Sequence, residues 1–339
     1  MTLFEKLEGK NILFFSPSFF GYEVKIKKKL ESYGANVKWY DDRPGNDFFT
    51  KVFVRLDKRV LTRKINSYYS EILDENTNIV FDYCFFVTPE ATPTFFLKRL
   101  RKKYDKAKFI LYIWDSFENR KRMPSMLKFF DSIFTFDYED SKKYALNFRP
   151  LFYIDEFSIR NEKNIIKENY SLAFIGTAHT DRYLLCQEIK KRLENSDFVP
   201  FYYFFMHSPM LFWSRKIMNK NFRAVRKSDI SFVPLSADKV RDILFQAQAI
   251  LDIHHPEQRG LTMRTFECLG MMKKIVTTNK SIKQYDFYNE SNVLIIDRDR
   301  PEIDFSFFER DFVPYNQEIL DKYSISGWIR DIFFNDENG

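Results

Sequence analysis

Glycine is scarce in this chain, with nine among 339 residues against 39 phenylalanines. Each glycine beside an apolar run is therefore informative, because glycine marks tight turns and close backbone approaches. Cysteine is scarcer still. Cys84, Cys186 and Cys268 form an odd, widely spaced set without metal-ligand spacing, which predicts reduced core thiols and excludes a disulfide framework. His254 and His255 have no third ligand at a usable spacing, so no metal site is expected. No apolar run approaches the roughly 20 residues that a spanning helix needs, and no leader pattern precedes Leu3. No low-complexity tract or convincing repeat breaks the sequence. The expectation is a soluble protein, at most peripheral to a membrane.

What is present suffices for two cores. Hydrophobic residues make up 45% of the chain, and its length suits two domains of roughly 150 residues each. Lys and Arg number 54 against 47 Asp and Glu, a net charge of +7. That moderate excess fits a nucleotide ligand, an anionic membrane surface, or no special partner. No nucleic-acid recognition module is visible, and no such partner is expected.

Asn11-Ile12-Leu13-Phe14-Phe15 reads as a buried first strand. The turn Ser16-Pro17-Ser18-Phe19-Phe20-Gly21 leads to a helix from about Tyr22 to Tyr33, and a second strand ends at Asp41 and Asp42. The runs 79–87, 109–114 and 132–136 are apolar almost throughout, which indicates parallel strands buried on both faces. Asp115 and Asp137 close the last two. A polar stretch at 158–164 precedes a second unit that opens with a strand ending Phe174-Ile175-Gly176-Thr177 and a helix from about Arg182 to Leu193. The expected fold class is α/β, with two Rossmann-like doubly wound domains facing a central cleft. The expected boundaries are 1–155, a linker at 156–170, 171–315, and a closing helix at 316–339 that packs back on the first domain.

The most informative stretch is Gln258-Arg259-Gly260-Leu261-Thr262-Met263-Arg264-Thr265-Phe266-Glu267. It lies between two strand-like runs, Ala249 to Ile253 and Lys274 to Asn279. A strand ends, a glycine turns the chain, and a helix starts with Thr262 as its expected cap. The free amides and the dipole of a helix N-terminus favour an anion there.

This layout resembles glycosyltransferases of the GT-B architecture, in particular bacterial capsule, lipopolysaccharide and exopolysaccharide transferases. The resemblance implies a nucleotide-sugar donor held by the C-terminal domain and a glycan or lipid-linked oligosaccharide acceptor held by the N-terminal one. It implies no cofactor beyond that co-substrate and no bound metal. It places Glu267 on the donor ribose, and the amides of Gly260, Leu261 and Thr262 on the diphosphate with Arg264 nearby. Gly176 and Thr177 would admit the diphosphate closely, and Ser16, Ser18 and Gly21 would form the acceptor loop. Many retaining members carry a glutamate eight positions before the ribose-binding one; here that position is Arg259, which leaves stereochemistry open.

The chemistry needs cations for the leaving diphosphate and, for inversion, a base. Arg259, Arg264 and His179 are candidates for the charge, although Arg264 and Glu267 also suit a simple ion pair. Asp115 is the first candidate base, with Glu118 and Asp137 behind it and His255 on the other domain; Asp115 equally suits a helix cap. Residues 212–227 interleave aromatics with cations and contain no acid, which suits either a solvated face or anionic lipid headgroups. The implied function is a cytoplasmic glycosyltransferase, peripheral on the inner face of the plasma membrane. A nucleotide-sugar epimerase on the same scaffold and a non-catalytic nucleotide- or glycan-binding protein are the alternatives.

Overall fold

The computed structural model describes residues 2–43, 58–118, 120, 122–161, 167–178, 181–194 and 197–334. Its strands are β1 (Asn11–Ser16), β2 (Asn36–Asp41), β3 (Tyr83–Val87), β4 (Lys108–Ile113), β5 (Ser132–Thr135), β6 (Asn147–Phe148), β7 (Tyr170–Thr177), β8 (Pro200–Phe205), β9 (Ile230–Ser231), β10 (Ala247–Asp252), β11 (Lys274–Thr277) and β12 (Val293–Ile295). They form two six-stranded sheets, ordered β2-β1-β3-β4-β5-β6 and β12-β11-β10-β7-β8-β9. Every pairing is parallel. The chain divides into two compact units, Met1–Pro150 with Ile325–Gly339, and Leu151–Ser324.

In the first unit, parallel pairing demands crossovers, and the helices Tyr22–Ser32 and Thr94–Lys103 provide two of them. With both sheet faces covered, the central strands show no polar alternation: Ile12 to Phe15 and Phe109 to Ile113 are fully buried. Phe14 and Phe15 lie in register beside Phe85 and Phe86, with ring centroids at 5.0 and 4.6 Å. Part of the phenylalanine excess is therefore structural, since each aromatic pair adds about 0.5–1.5 kcal/mol beyond its buried area. Trp328, from the helix Ile325–Phe334, packs edge-on to Tyr112 with centroids at 4.8 Å.

Asp42, just past β2, is fully buried and organises the turn after β3. Its carboxylate accepts from the amides of Glu90 (2.5 Å), Ala91 (2.6 Å) and Thr92 (3.1 Å), from Tyr69 Oη (2.9 Å), and from Thr92 Oγ1. Burial raises its pKa, opposed by those hydrogen bonds. The role is structural.

The second unit reverses direction at its centre. From β7 the chain moves outward through β8 to β9, then returns on the other side of β7 to β10 and moves outward again through β11 to β12. The carboxyl ends of β7 and β10 therefore flank a topological switch point, where open α/β sheets bind their ligands. The tail at 316–339, expected as one closing helix, is instead two within its described part: Gln317–Tyr323 and Ile325–Phe334. Ser324 breaks it with extended backbone (φ −71°, ψ 159°) and bridges to Tyr153. The first helix belongs to the second unit and the second helix to the first.

Candidate functional site

At the switch point, Asp252 ends β10 and is almost wholly buried. Its Oδ2 accepts from Thr262 Oγ1 (2.8 Å) and Thr265 Oγ1 (2.6 Å), and its carbonyl accepts from Thr277 Oγ1 (3.0 Å). This carboxylate ties β10 to β11 and to the start of the helix Met263–Gly270. Thr262 does occupy the N-cap position, but its hydroxyl makes no cap hydrogen bond. The hydroxyl is turned to Asp252 instead, donating its proton there. No Thr262 side-chain cap occupies the first-turn amides.

The preceding loop is held from behind. Asn279 Nδ2 donates to the carbonyls of Gly260 (3.2 Å) and Arg259 (3.4 Å), and Gln258 Nε2 donates to Gly260 O (3.2 Å). Leu261 is buried as a plug, and Arg259 is exposed. On the helix, Arg264 Nη1 lies 2.7 Å from Glu267 Oε2, and both side chains are mostly covered. The ion pair weighed from sequence is formed. Gly176 and Thr177 end β7, with Arg182 Nη1 at 3.4 Å from Thr177 Oγ1. His179 lies outside the described residues.

Sequence reasoning missed the charged groups that collect here. Arg182 begins the helix after β7, and Arg298 follows β12. Arg298 forms a two-pronged pair with Asp181 (2.6 and 3.2 Å) and donates to His254 O at 2.7 Å. His254 Nδ1 pairs with Thr278 Oγ1 at 2.7 Å. Burial lowers the Arg182 pKa, opposed by Asp252 and reinforced by Arg298; the guanidinium remains charged. Burial, with Arg298 adding to it, lowers His254 from 6.5 to about 4. At neutral pH the cluster thus holds two guanidinium groups around a neutral imidazole. The available signal was positional: each lies just past the carboxyl end of a strand.

His254 carries a pH prediction. Between its folded pKa of about 4 and the ordinary 6.5, the unfolded chain binds the proton that the folded chain refuses. Its contribution is therefore complete above 6.5 and is lost as pH falls towards 4. Replacing His254 with Gln should flatten that limb of the melting-temperature profile. A constant offset between variant and wild type across the window rejects the assignment.

His255 Nδ1 accepts from the Glu257 amide at 3.3 Å and remains partly exposed. In the first unit, Asp115 Oδ2 accepts from Arg120 Nε at 2.9 Å, and Arg120 and Arg43 both pair with Glu90 (2.5 and 2.9 Å). Asp115 is thus one end of a four-member ionic chain, while Glu118 is exposed. Asp137 is a helix cap, accepting from the amides of Glu139 and Asp140 and from Ser116 Oγ. Ser16 is fully buried with its Oγ accepting from Trp39 Nε1 at 3.0 Å. Ser18 Oγ donates to Glu23 Oε1 at 3.1 Å, and Gly21 (φ +80°) starts the next helix. These side chains shape the loop after β1.

No family model matches the chain, and no curated protein matches it. Solved structures do. Anabaena HepE in complex with UDP-glucose is similar over 97% of this chain and 100% of its own, with a TM-score of 0.60 at 9% identity. A UDP-forming α,α-trehalose-phosphate synthase from Burkholderia xenovorans, in complex with glucose-6-phosphate, covers 98% and 100% with a TM-score of 0.62 at 12% identity. The UDP-GlcNAc 2-epimerase of Methanocaldococcus jannaschii covers 97% and 100% with a TM-score of 0.52 at 12% identity. The fold is GT-B-like. At these identities the likeness is one of fold. Among the described residues, no helix is long and apolar enough to cross a membrane, and no group of three or more His, Cys, Asp or Glu could hold a metal ion.

Proposed function

We propose that this protein is a glycosyltransferase that moves a sugar from a nucleotide-sugar donor to a glycan or lipid-linked acceptor in bacterial surface polysaccharide synthesis. The observation that carries this is the cationic switch point, where Arg182, Arg298, neutral His254 and the N-terminus of the helix Met263–Gly270 converge beside Asp252. Such a site suits a diphosphate. Glu267, one turn into the helix, takes the ribose hydroxyls. The solved structures named above were determined with UDP-glucose or carry UDP in their names, which favours uridine as the base.

In the transfer, the bond from the anomeric carbon to the diphosphate oxygen breaks and the acceptor oxygen bonds to that carbon. The nucleoside diphosphate leaves with the bonding electrons. Its developing charge is stabilised by the Arg182, Arg298 and Arg264 guanidinium groups and the helix amides, with no metal called on. The acceptor proton passes to a carboxylate or imidazole, with Asp115, Glu118 and His255 as candidates; the pairing of Asp115 with Arg120 weakens its claim. The acceptor loop is that of Ser16, Ser18 and Gly21. The enzyme works in the cytoplasm, peripherally on the inner face of the plasma membrane.

A second reading has its own support. Two structures of UDP-GlcNAc 2-epimerase from Methanocaldococcus jannaschii share the fold, with TM-scores of 0.52 and 0.50. Thermal-shift screening against UDP-, GDP-, TDP- and CMP-sugars tests the shared premise. A bound donor at a hundredfold excess over its Kd stabilises by about 2.7 kcal/mol, and no shift with any member rejects both readings. With the donor found, a transferase releases nucleotide in proportion to added acceptor. An epimerase converts the sugar without one, and a binding protein does neither.

A further inference from the structure

We propose that the outer face of the helix Pro209–Met218, with the segment that follows it, is a docking surface for anionic phospholipid. The helix is capped by Ser208, whose Oγ accepts from the Leu211 amide at 3.2 Å, and starts with Pro209. Its inner face is conventional: Phe212 is fully buried, and Arg215 Nη1 donates to Ala178 O at 3.3 Å. The outer face is not. Met210 is 68% exposed, Trp213 53%, Ile217 75% and Met218 85%. The first three recur at helical spacing and form one apolar stripe where an ordinary surface helix carries charge.

The following segment surrounds that stripe with cations. Phe222 and Val225 are buried, and the Phe222 ring packs against Phe212 with centroids at 5.6 Å. Those two anchors leave Lys220, Arg223, Arg226 and Lys227 exposed. No acidic residue occurs from Pro209 to Ser228, and the first one, Asp229, accepts from Tyr183 Oη at 2.5 Å. An apolar stripe with a central tryptophan and a basic rim matches a leaflet interface, where the ring and aliphatic groups enter below the headgroups and the cations meet phosphate. A second copy of this chain fits worse, because a two-fold contact would bring the same cationic rims together, with Asp229, 4.0 Å from Arg226, offsetting one cation in each. In two other basic stretches, Lys25 to Lys29 and Lys98 to Lys103, Lys27 pairs with Glu31, Arg101 pairs twice with Asp131, and Lys103 donates to Leu73 O.

The proposal rests on the lipid-linked-acceptor reading for its purpose only; the contact itself needs neither donor nor acceptor. The test is flotation of the full chain with vesicles of phosphatidylcholine containing about one-third phosphatidylglycerol, against phosphatidylcholine alone. The wild type should float with the anionic vesicles, should not float with the neutral ones, and should be released by high salt. The double change Ile217→Ser with Met218→Ser, and separately Lys220→Glu with Arg223→Glu, should each lower partitioning at least tenfold. Both pairs are exposed, so circular dichroism and donor-induced thermal shift should match the wild type. Wild-type protein that stays below the lipid overturns the proposal, as do variants that float like wild type or equal binding to neutral vesicles. A solution dimer dissociated by the serine variant, without vesicle binding, assigns the face to a second copy and also overturns it. Failure to float with donor binding intact removes this proposal and the peripheral placement, and leaves the donor reading standing; flotation without binding of any nucleotide sugar removes only the donor reading.

Discussion

Replacing Arg182 with methionine is expected to weaken binding of UDP or a UDP-sugar by about 30- to 100-fold, the loss of a charge-assisted contact of roughly 2–3 kcal/mol. The ligand-free protein should melt at the same temperature as wild type or higher. The two halves of this result have one cause. Burial and Arg298 depress the Arg182 pKa by more than Asp252 raises it. The fold therefore bears the positive charge at a net cost, and removing it relieves that cost while methionine retains much of the aliphatic stem. An arriving anion would add to the favourable influence of Asp252 and Asp181. Calorimetric titration with UDP and differential scanning calorimetry read the two halves separately. Unchanged affinity would remove Arg182 from the site, and a large drop in apo stability would mark it as a structural ion-pair member.

The second large effect concerns stability. A Cβ on Gly270 would lie 2.6 Å from Cγ and Cδ2 of Tyr153 and 2.7 Å from the Phe157 carbonyl. Neither neighbour can give way cheaply. Tyr153 is held at both ends, its amide donating to Tyr323 O at 2.9 Å and its hydroxyl to Leu320 O at 2.8 Å, and the Phe157 atom is backbone. Gly270→Ala should therefore cost about 3 kcal/mol, at the upper end for overpacking. A fall in melting temperature of roughly 6–12 °C follows for a unit of this size. Because Gly270 ends the helix that carries Arg264 and Glu267, donor affinity should fall as well. A variant that melts within a degree or two of wild type would show that Tyr153 can repack.

Much of the fold was legible because its signals are local. Phe109 to Ile113 and Ile12 to Phe15 are apolar without alternation, and such runs belong to parallel strands with both faces covered. The Gly260-Leu261-Thr262 turn and the helix after it were also legible, since a glycine and a β-hydroxyl residue between a strand and a helix have few other uses. The sequence placed Thr262 correctly at the helix start yet misassigned its hydroxyl, because Asp252, to which the hydroxyl turns, is brought to it only by folding. Asp115 as a free base is likewise open in the sequence, because its pairing with Arg120 depends on side-chain placement in the fold.

By itself, then, the sequence determined the α/β class, the strand runs and the one loop-helix, all consequences of short-range periodicity. Tertiary structure alone decided where the site's charge sits. Arg182 and Arg298 follow two different strands, and Asp181 and Arg298, which hold each other, are 117 residues apart. Their convergence depends on the reversal of strand order between β7 and β10. Sheet order is set by which apolar faces pack together across the whole unit, and no local pattern in the chain encodes it.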